Sequence, residues 1–453
     1  MAPMLNSLLR VRNWYWAEDE FCPAMDDGDG STADGCIKTL TGQIASAAVD
    51  HRNGRIHLIR DRLGSNKQFF AVHESGEVTV ANYLIDLVAH GAPMEGIFSV
   101  PAGHVLDIDV QAKQLTLRRY FDVKLSNSDG DGGLEEYAAR IRGDLERWFA
   151  RLARQFHSRR ICVCTSGGLD SGLIGALAVQ YFERVTFYTY GYIQGEGQLT
   201  DDAAYGRRLA DFLQCPFRYV PATAEDILSA VERALLYGQD WRDFNVHCAI
   251  VNDLLGKAIR QDWLESKEEA PPLVLTGDLM NEFLADYTVV HYRGHEYYRL
   301  PRLDPHSLRS VLIKGLDAGD REVGVFAQHG IDLIQPYGLL ADRYLELPAA
   351  LVCGEGAKQR LVKAIAGDLL PAWIFERSKV RAQIGSAKEP VGILPLLHEA
   401  GYDAKWLQQA FCRLFGIEDV SFLNGFIWRG RYRFATEFPR GGARNGYFTR
   451  SHR

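Results

Sequence analysis

The residues with the clearest chemistry lie between Ile161 and Ala178, where a short apolar run leads into the string SGGLDS and then into an apolar helical pattern. The run ICVCT is typical of a buried parallel strand, and the spacing of apolar residues after the string predicts a helix with one apolar stripe. Two adjacent glycines let the backbone approach an anion, and the N–H groups at a helix start point toward it. This order of strand, loop and helix predicts a phosphate-binding loop.

The polar residues of the loop indicate what kind of phosphate site it is. Ser166 and Ser171 supply hydroxyl donors on either side of Gly167 and Gly168. Asp170 would repel a bare phosphate, so it implies a cation between the two, most simply Mg²⁺. No lysine follows the glycines, which excludes a Walker loop. Two glycines alone would equally suit tight packing of a strand on a helix, but the whole string is more restrictive.

The composition limits the kind of protein to which this loop belongs. A chain of 453 residues is long enough for two or three domains, and 47% hydrophobic with 24% charged residues is typical of a globular protein. The net charge of −7 gives no general attraction to nucleic acid or to anionic membranes. No apolar run approaches the ~20 residues of a membrane helix, and residues 1–30 do not have the order of a signal peptide. We expect a cytoplasmic protein without nucleic-acid or membrane partners, and leave a homodimer open.

The elements around the loop predict two domains. Residues 1–130 read as mostly β, with strand patterns in segments such as 41–50 and 54–61, and the stretch 125–133 has the composition of a linker. Residues 131–453 alternate between helical and strand patterns, which predicts an α/β fold with a doubly wound parallel sheet. Ligands of such sheets lie beyond the carboxyl ends of the strands. SGGLDS and Thr276-Gly277 both follow strands, so one nucleotide could contact both.

Several strings resemble known families. SGGLDS resembles the PP-loop of ATP pyrophosphatases, which split ATP between the α and β phosphates to adenylate a substrate. The stretch RDRLG at 60–64, followed by Phe69-Phe70, resembles the RDRLG…PLYY stretch in the glutaminase-like, Ntn-type domain of asparagine synthetases, and residues 100–106 are similar to a later turn of that domain. In this order, the motifs place the chain in the asparagine synthetase and β-lactam synthetase superfamily. The resemblance implies a smaller glutaminase-like domain before a PP-loop synthetase domain that uses ATP and Mg²⁺.

The amino-terminal domain departs from that family in one respect. Glutaminases of this fold use an amino-terminal cysteine whose thiolate attacks glutamine, whereas position 2 here is Ala2. We therefore expect no glutamine hydrolysis and interpret the domain as a structural remnant, as in β-lactam synthetases and lasso-peptide cyclases. None of the eight cysteines forms a CxxC pair or a zinc-type cluster, so buried apolar roles are expected for them.

A second motif covers residues 276–283, with Tyr287 further on, and resembles the family's stretch SGEGxDELFGGY. In the family, the aspartate of this stretch joins the PP-loop aspartate in holding Mg²⁺. That position is Asn281 here, a weaker neutral oxygen ligand. Asp278 and Glu282 are the candidate replacements, although Asp278 would equally suit a helix N-cap. The expected metal residues are Asp170, Asn281 and Glu282, and Gly277 joins the loop residues in binding the nucleotide.

Two further stretches resemble catalytic segments of the family. Residues 330–337 are similar to a stretch ending ExRxPF, with Asp332 at the glutamate position and Ile334 in place of the arginine. In β-lactam synthetases a glutamate here works with a tyrosine to deprotonate the amine. The tyrosine position falls at Asp278, so that dyad is absent. Asp332 remains a candidate base or amine anchor, weighed equally against a surface carboxylate.

The last stretch, from Leu370-Pro371 to Arg377-Ser378-Lys379, resembles the family's LP…RxKxG. An ammonium near the α-phosphate would stabilise the charge that develops as pyrophosphate leaves. We assign this role to Lys379, with Lys358 as the weaker candidate. The predicted catalytic residues are then Lys379, Asp332 and Asp278.

These motifs predict a carbon–nitrogen ligase that adenylates a carboxylate with ATP and couples it to an amine, in specialised metabolism such as antibiotic biosynthesis. The substrates are a small-molecule carboxylate and an amine, and intramolecular β-lactam or macrolactam closure is one alternative. An ammonia-dependent asparagine synthetase, a PP-loop tRNA-modifying enzyme and a non-catalytic scaffold with a decayed site are the others. Asn281 is the strongest argument for the scaffold.

Overall fold

The computed structural model describes the following residues: 4–17, 20–22, 41–126, 132–193, 199–286, 290–292, 294–297, 303–314, 321–352, 356–377, 387, 391–423 and 449–450. Two residues named from the sequence, Lys379 and Tyr287, lie outside these ranges, as does the expected domain boundary at 130. Within the described ranges, no helix combines the length and apolarity needed to cross a bilayer.

The amino-terminal part forms three sheets, whose orders are β1-β8-β7-β9, β19-β11-β10-β6-β5 and β3-β2-β4. The strand bounds are β1 Leu5–Leu8, β2 Trp14–Ala17, β3 Glu20–Cys22, β4 Thr41–Gln43, β5 Ala45–Asp50, β6 Arg55–Arg60, β7 Phe69–Val72, β8 Val78–Ala81, β9 Ile97–Ser99, β10 His104–Asp109 and β11 Gln114–Arg119, with β19 Thr449–Arg450 from the end of the chain. Alternate residues such as Ile56, Leu58 and Phe70 fill a core between the first two sheets. The mostly β pattern predicted for this part is confirmed.

The RDRLG stretch acts as a structural element of this part. Asp61 is buried, and its carboxylate accepts backbone N–H groups at 2.9–3.1 Å from Ile44, Leu63, Ser65 and Asn66. The guanidinium of the preceding arginine is also buried and donates to backbone carbonyl oxygens at 2.8–3.0 Å. Because buried charges are costly unless hydrogen-bonded, this pair fixes the loop after β6 in one shape.

The carboxyl-terminal part contains a five-stranded sheet in which all strands are parallel, in the order β14-β13-β12-β15-β18. The bounds are β12 Ile161–Cys164, β13 Val185–Tyr192, β14 Phe217–Ala222, β15 Leu273–Leu275 and β18 Asp332–Ile334, and a separate hairpin joins β16 Val290–Tyr292 to β17 His295–Tyr297. The chain starts in the middle at β12, moves to one edge and returns to β15. The order therefore reverses between β12 and β15, where open parallel sheets bind their ligands.

Helices cover both faces of this sheet, as the alternating pattern predicted. Their bounds are α1 Leu84–Ala89, α2 Leu134–Phe156, α3 Leu169–Tyr181, α4 Asp201–Phe212, α5 Ala224–Gly238, α6 Asp243–Ser266, α7 Met280–Leu284, α8 Pro305–Lys314, α9 Val323–Ala327, α10 Pro336–Leu339, α11 Ala341–Leu345, α12 Ala349–Val352, α13 Ala357–Ala366, α14 Ala372–Glu376, α15 Leu394–Glu399 and α16 Ala404–Phe415, with 3₁₀ turns at Met94–Gly96 and Val420–Leu423. In β12, Ile161 and Val163 face the core that contains α2, α3, α4 and α13, while Cys162 faces the core that contains α5, α6 and α16. The α/β architecture with a parallel sheet is confirmed.

Helix α3, which comes directly after the glycine loop, differs from the single apolar stripe that its sequence predicts. Residues 171–178 are all buried, because α3 lies between the sheet and other helices. Two glycines make this packing close: a Cβ at Gly175 would lie 2.4 Å from the ring of Phe187, and one at Gly172 would lie 2.9 Å from Ile374. The helix is therefore held on every side and gives the loop before it a fixed base.

The two parts of the chain share hydrogen bonds and a hydrophobic core. The buried side chain of Gln43, at the end of β4, donates to the carbonyl oxygen of Leu333 at 3.0 Å and accepts the N–H of Gln335 at 2.8 Å. One carboxamide thus pairs with the outer edge of β18 as a neighbouring strand would. Apolar residues of the amino-terminal part, among them Phe69 and Leu84, lie in the same core as α5 and α6.

We expect Gln43→Ala to lower the free energy of unfolding by about 2–3 kcal/mol, because two buried backbone groups at the edge of β18 lose their partner. Gln114→Ala, at an exposed position of β11, is the matched control and should change it by less than about 0.5 kcal/mol. Urea unfolding followed by tryptophan fluorescence measures both. Equal effects of the two substitutions would show that the Gln43 contacts do not stabilise the fold.

Candidate active site

The loop between β12 and α3 has a backbone shape that only glycine permits. Gly167 adopts φ +66°, and a Cβ there would lie 2.5 Å from backbone and side-chain atoms of Tyr205. The hydroxyl of Thr165 accepts the N–H of Gly167 at 3.0 Å and lies 3.1 Å from the hydroxyl oxygen of Ser171. Gly168 is the N-cap of α3, and no described side chain caps this helix. The start of α3 therefore keeps the N–H groups and positive dipole end that bind anions.

The loop after β15 lies directly on the first turn of α3. A Cβ at Gly277 would lie 2.4 Å from the backbone N of Ser171 and 2.6 Å from the carbonyl carbon of Asp170. No side chain other than hydrogen fits this gap. The contact joins the two loops that the sequence predicted to share one nucleotide, and it brings Gly277, Asp170 and Ser171 together.

A buried lysine connects two of the predicted metal residues, Asp170 and Asn281. The ammonium of Lys358, on α13, lies 2.5 Å from Oδ2 of Asp170 and 2.7 Å from Oδ1 of Asn281. The lysine side chain is only 7% exposed, so its charge depends on these oxygens. The second oxygen of Asp170, Oδ1, is buried and has no hydrogen-bond partner among the residues that the structure describes. The motifs favoured Lys379 over Lys358, and only the fold shows that Lys358 contacts Asp170.

Arg377 connects the RSK stretch to the glycine loop. Its guanidinium donates to the carbonyl oxygen of Ser166 and to Oδ1 of Asp202, both at 2.6 Å, and lies 4.2 Å from the ring centre of Tyr205. Burial raises the pKa of Asp202 to about 7, although Arg377 opposes this. The sequence motifs gave Arg377 no role of its own. Its partners come from elements far away in sequence, so no local pattern could have identified them.

A second group of charges surrounds Asp278, beyond the end of β15. Burial, followed by the nearby charge of Glu322, raises the pKa of Asp278 to about 7, while Arg321 opposes the shift and Glu282 adds to it. Glu322 and Glu282 are themselves buried, and Arg321 pairs with Glu322 at 3.3 Å. Asp278 can therefore exchange a proton near neutral pH. It does not serve as the N-cap of α7, a position that Leu279 holds without a side-chain hydrogen bond.

Asp332 lies at the other end of the sheet. It is in register with Leu273 and Ile161 at the amino ends of β15 and β12, so about four residues, or ~13 Å of strand, separate that level from the glycine loop. Its carboxylate pairs with Arg159 at 3.1 Å and with Arg12 at 3.2 Å. We therefore do not retain Asp332 as the base or amine anchor suggested from the sequence, because a strand of this length holds it away from the loop.

The residue of this stretch that does reach the loop is Tyr337, which the sequence motifs did not single out. Tyr337 lies at the start of α10, and its hydroxyl donates to the backbone carbonyl oxygen of Asp170 at 2.8 Å. The ring is fully buried, and burial raises the pKa of the phenol well above its usual range. Tyr337 therefore remains a neutral donor and supports Asp170 from behind.

We expect Gly277→Ala to lower the free energy of unfolding by about 2–3 kcal/mol, because the new Cβ collides with rigid backbone of α3. Gly96→Ala is the matched control, since a Cβ there would lie 3.6 Å from Pro93, an ordinary contact. Chemical denaturation compares the two. If Gly277→Ala lowered the free energy of unfolding no more than Gly96→Ala does, the two loops would not lie as close as described.

Comparisons with known proteins agree with the motifs. Residues 149–323 match the family model for asparagine synthase. The chain is 24% identical over 265 residues to asparagine synthetase [glutamine-hydrolyzing] 2 of Arabidopsis thaliana, which covers 56% of this chain and 42% of that protein. It is 25% identical over 358 residues to carboxyethyl-arginine beta-lactam-synthase of Streptomyces clavuligerus, which covers 75% and 64%.

Two further comparisons concern a vertebrate relative and a solved structure. Asparagine synthetase [glutamine-hydrolyzing] of Gallus gallus is 24% identical over 363 residues, which cover 75% of this chain and 63% of that protein. The chain thus spans between 42% and 64% of the length of these relatives. The solved structure of NMN synthetase from Francisella tularensis has a TM-score of 0.32 at 14% identity, covering 66% of this chain and 94% of that one, a likeness too weak to argue from. The family model and these curated relatives support the asparagine synthetase and β-lactam synthetase superfamily for this chain.

Proposed function

We propose that this chain is an ATP-dependent amide-bond-forming ligase, which adenylates a carboxylate, releases pyrophosphate and couples the activated acyl group to an amine. The observation that carries the proposal is Asp170 at the start of α3. Lys358 contacts one of its carboxylate oxygens, and the other is buried without a hydrogen-bond partner within the described part of the chain. A helix start provides an anion site, and a carboxylate beside it needs a cation. AMP is then the second product.

The residues of the site fit ATP and a divalent cation. The N–H groups of α3 and the hydroxyl of Ser171 suit the phosphates, and Gly277 leaves room for the two loops to share them. Asp170 and Asn281 place their oxygens around a cationic group, the ammonium of Lys358, and these oxygens would hold Mg²⁺ with the phosphates. Bound there, Mg²⁺ would neutralise charge on the leaving pyrophosphate.

Two lysines are proposed to stabilise the charge of the reacting phosphates. Lys358 is buried beside Asp170, and its flexible stem allows the ammonium to reach a phosphate oxygen. Lys379 keeps the role assigned from the sequence. It lies two residues after Arg377 in sequence, and Arg377 contacts Ser166 of the loop.

Asp278 is the proposed base for the amine. Deprotonation of an attacking ammonium requires a group whose pKa lies near the working pH, and the pKa of Asp278 is raised to about 7. It comes directly after Gly277, which contacts the loop, so it lies at the same edge of the sheet. Glu282 and Glu322 would then hold the amine substrate by its charge.

The amine is proposed to come from a substrate molecule and not from glutamine, with residues 1–130 as a glutaminase-like remnant and 131–453 as the synthetase domain. The described cysteine side chains are Cys162, Cys164, Cys215, Cys248 and Cys412, all after residue 160. Burial raises the pKa of Cys162 and Cys215 to about 12, which makes both poor nucleophiles. Incubation with glutamine should release no glutamate; steady release would contradict this proposal.

One relative favours an intramolecular variant. A protein named carboxyethyl-arginine beta-lactam-synthase aligns with 75% of this chain, so the amine and the carboxylate could belong to one substrate in specialised metabolism. A cyclic product one water lighter than the substrate, found by mass spectrometry, would identify this variant. Ammonia-dependent formation of asparagine from aspartate would identify an asparagine synthetase.

We expect Asp170→Asn, Lys358→Ala and Lys379→Ala each to lower carboxylate-dependent exchange of pyrophosphate into ATP by about 100-fold, because each removes charge next to the phosphates. Asp122→Asn, at an exposed aspartate, is the control and should exchange normally. A parent protein that neither binds ATP nor exchanges pyrophosphate with any carboxylate would instead be a scaffold.

Amide formation should depend on the protonation of Asp278. Since a base acts in its ionised form, we expect kcat/KM for the amine to rise as pH increases through about 7. Asp278→Asn should lower amide formation and flatten this rise while pyrophosphate exchange continues. A variant that keeps the same pH profile would exclude Asp278 as the base.

A further inference from the structure

The helix α7 is flanked at both ends by residues in left-handed backbone conformations. Leu279 before it has φ +80° and Ala285 after it has φ +50°. Such conformations are unfavourable for residues other than glycine, and they persist where the surrounding structure requires them. They confine the helix to five residues, which carry Asn281 and Glu282.

The turn that closes α7 brings Asp286 back to Asn281. The N–H of Asp286 donates to the carbonyl oxygen of Asn281 at 3.0 Å, and the N–H of Ala285 donates to that of Glu282 at 3.4 Å. This is the hydrogen-bond pattern of a helix ending in a left-handed residue. As a result, the side chains of Asn281 and Asp286 project from neighbouring points of the backbone, although the residues are five positions apart in sequence.

The side chains of both residues meet the same ammonium. Oδ2 of Asp286 lies 3.4 Å from Nζ of Lys358, which also contacts Asn281 at 2.7 Å and Asp170 at 2.5 Å. A buried lysine with a 7% exposed side chain is thus surrounded by two carboxylates and one amide oxygen. These oxygens already form a place for positive charge.

The sequence shows what is unusual about this arrangement. In the stretch SGEGxDELFGGY, which residues 276–287 resemble, Asn281 stands at the aspartate and Asp286 at the second glycine. One carboxylate is absent from the motif and another is added five residues later. The turn after α7 brings both positions to Lys358, so the number of carboxylates around that point is unchanged.

We propose that Asp286 is the second carboxylate ligand of the divalent cation in this site, in place of the carboxylate missing at position 281. The inference rests on the proposed ATP-dependent function, because nucleotide phosphates supply the remaining ligands. Mg²⁺ is held in such sites by one or two carboxylates with phosphates and water, which Asp170 and Asp286 would provide. Asn281 adds a neutral oxygen between them.

Asp286 suits this role better than Asp278, the replacement suggested from the sequence. Asp278 lies among Glu322, Glu282 and Arg321. Asp286 instead contacts the ammonium of Lys358, which also contacts Asp170 and Asn281.

The test is the affinity for Mn²⁺, measured by electron paramagnetic resonance on the full chain with a non-hydrolysable ATP analogue. Asp286→Asn should weaken Mn²⁺ binding by about tenfold or more, a loss typical even of groups that only support a metal ligand. Asp122→Asn, an exposed aspartate, should bind as the parent does. The readout is binding and does not depend on turnover.

Moving the carboxylate from position 286 to position 281 gives the most direct test. Asp286→Gly should lose Mn²⁺ affinity as Asp286→Asn does, and adding Asn281→Asp to Asp286→Gly should restore it to within about threefold of the parent. Circular dichroism confirms that each variant is folded. Restored affinity supports the proposal, because the double variant has the same number of carboxylates as the parent, with one at position 281 in place of position 286.

Two results would overturn it. Unchanged Mn²⁺ affinity in both Asp286 variants, in a parent that binds Mn²⁺ with the analogue, would exclude Asp286 as a ligand and leave the proposed function intact. A parent that binds the analogue in neither the presence nor the absence of Mn²⁺ would overturn the proposed function together with the ligand.

Discussion

The close contact between Gly277 and the first turn of α3 determines the geometry of the whole candidate site. Because position 277 has no side chain, the loop after β15 lies on the backbone of Asp170 and Ser171. This approach occurs where the strand order reverses, at the neighbouring carboxyl ends of β12 and β15. Asp170, Asn281 and Lys358 are in contact as a consequence. A larger residue at 277 would separate the two loops and with them the charges they carry.

Charge balance explains why the site holds together before any ligand binds. Lys358 is nearly inaccessible to water, so its ammonium requires the oxygens of Asp170, Asn281 and Asp286. Nearby, Asp278 has a raised pKa because water is excluded and Glu322 is close. Leu279 and Ala285, at the two ends of α7, adopt unfavourable left-handed backbone conformations in this arrangement.

The amino-terminal part contributes to the site through the edge of the parallel sheet. Gln43 pairs with the backbone of β18, and the chain continues from β18 through Gln335 to Tyr337, whose hydroxyl supports the carbonyl of Asp170. Arg12 also pairs with Asp332 at the other end of the same strand. The amino-terminal part therefore has a structural role: it covers the edge strand β18 and fixes the position of α10 next to that strand.

Local patterns in the sequence determined the elements and the loop. The alternation along β12, the glycines of SGGLDS and the motif at 276–283 predicted a parallel α/β sheet with a phosphate loop at a strand end, because these features depend on nearest neighbours and on backbone freedom. The same patterns predicted one apolar stripe on α3, which is wrong because the helix is buried on all sides. This burial comes from other helices of the fold, among them α2 and α13.

Only the tertiary structure decided which charges meet. Asp332 matched a family position in sequence, yet the register of β18 places it at the amino end of the sheet beside Arg159. The contacts of Lys358 with Asp286 and of Arg377 with Ser166 join residues that are 72 and 211 positions apart in sequence. Asp286 itself is brought to the site by the turn that ends α7. No rule of local spacing predicts such contacts. Electrostatic contacts depend on distance in space, and the chain fixes that distance only when the strands pair and the helices pack.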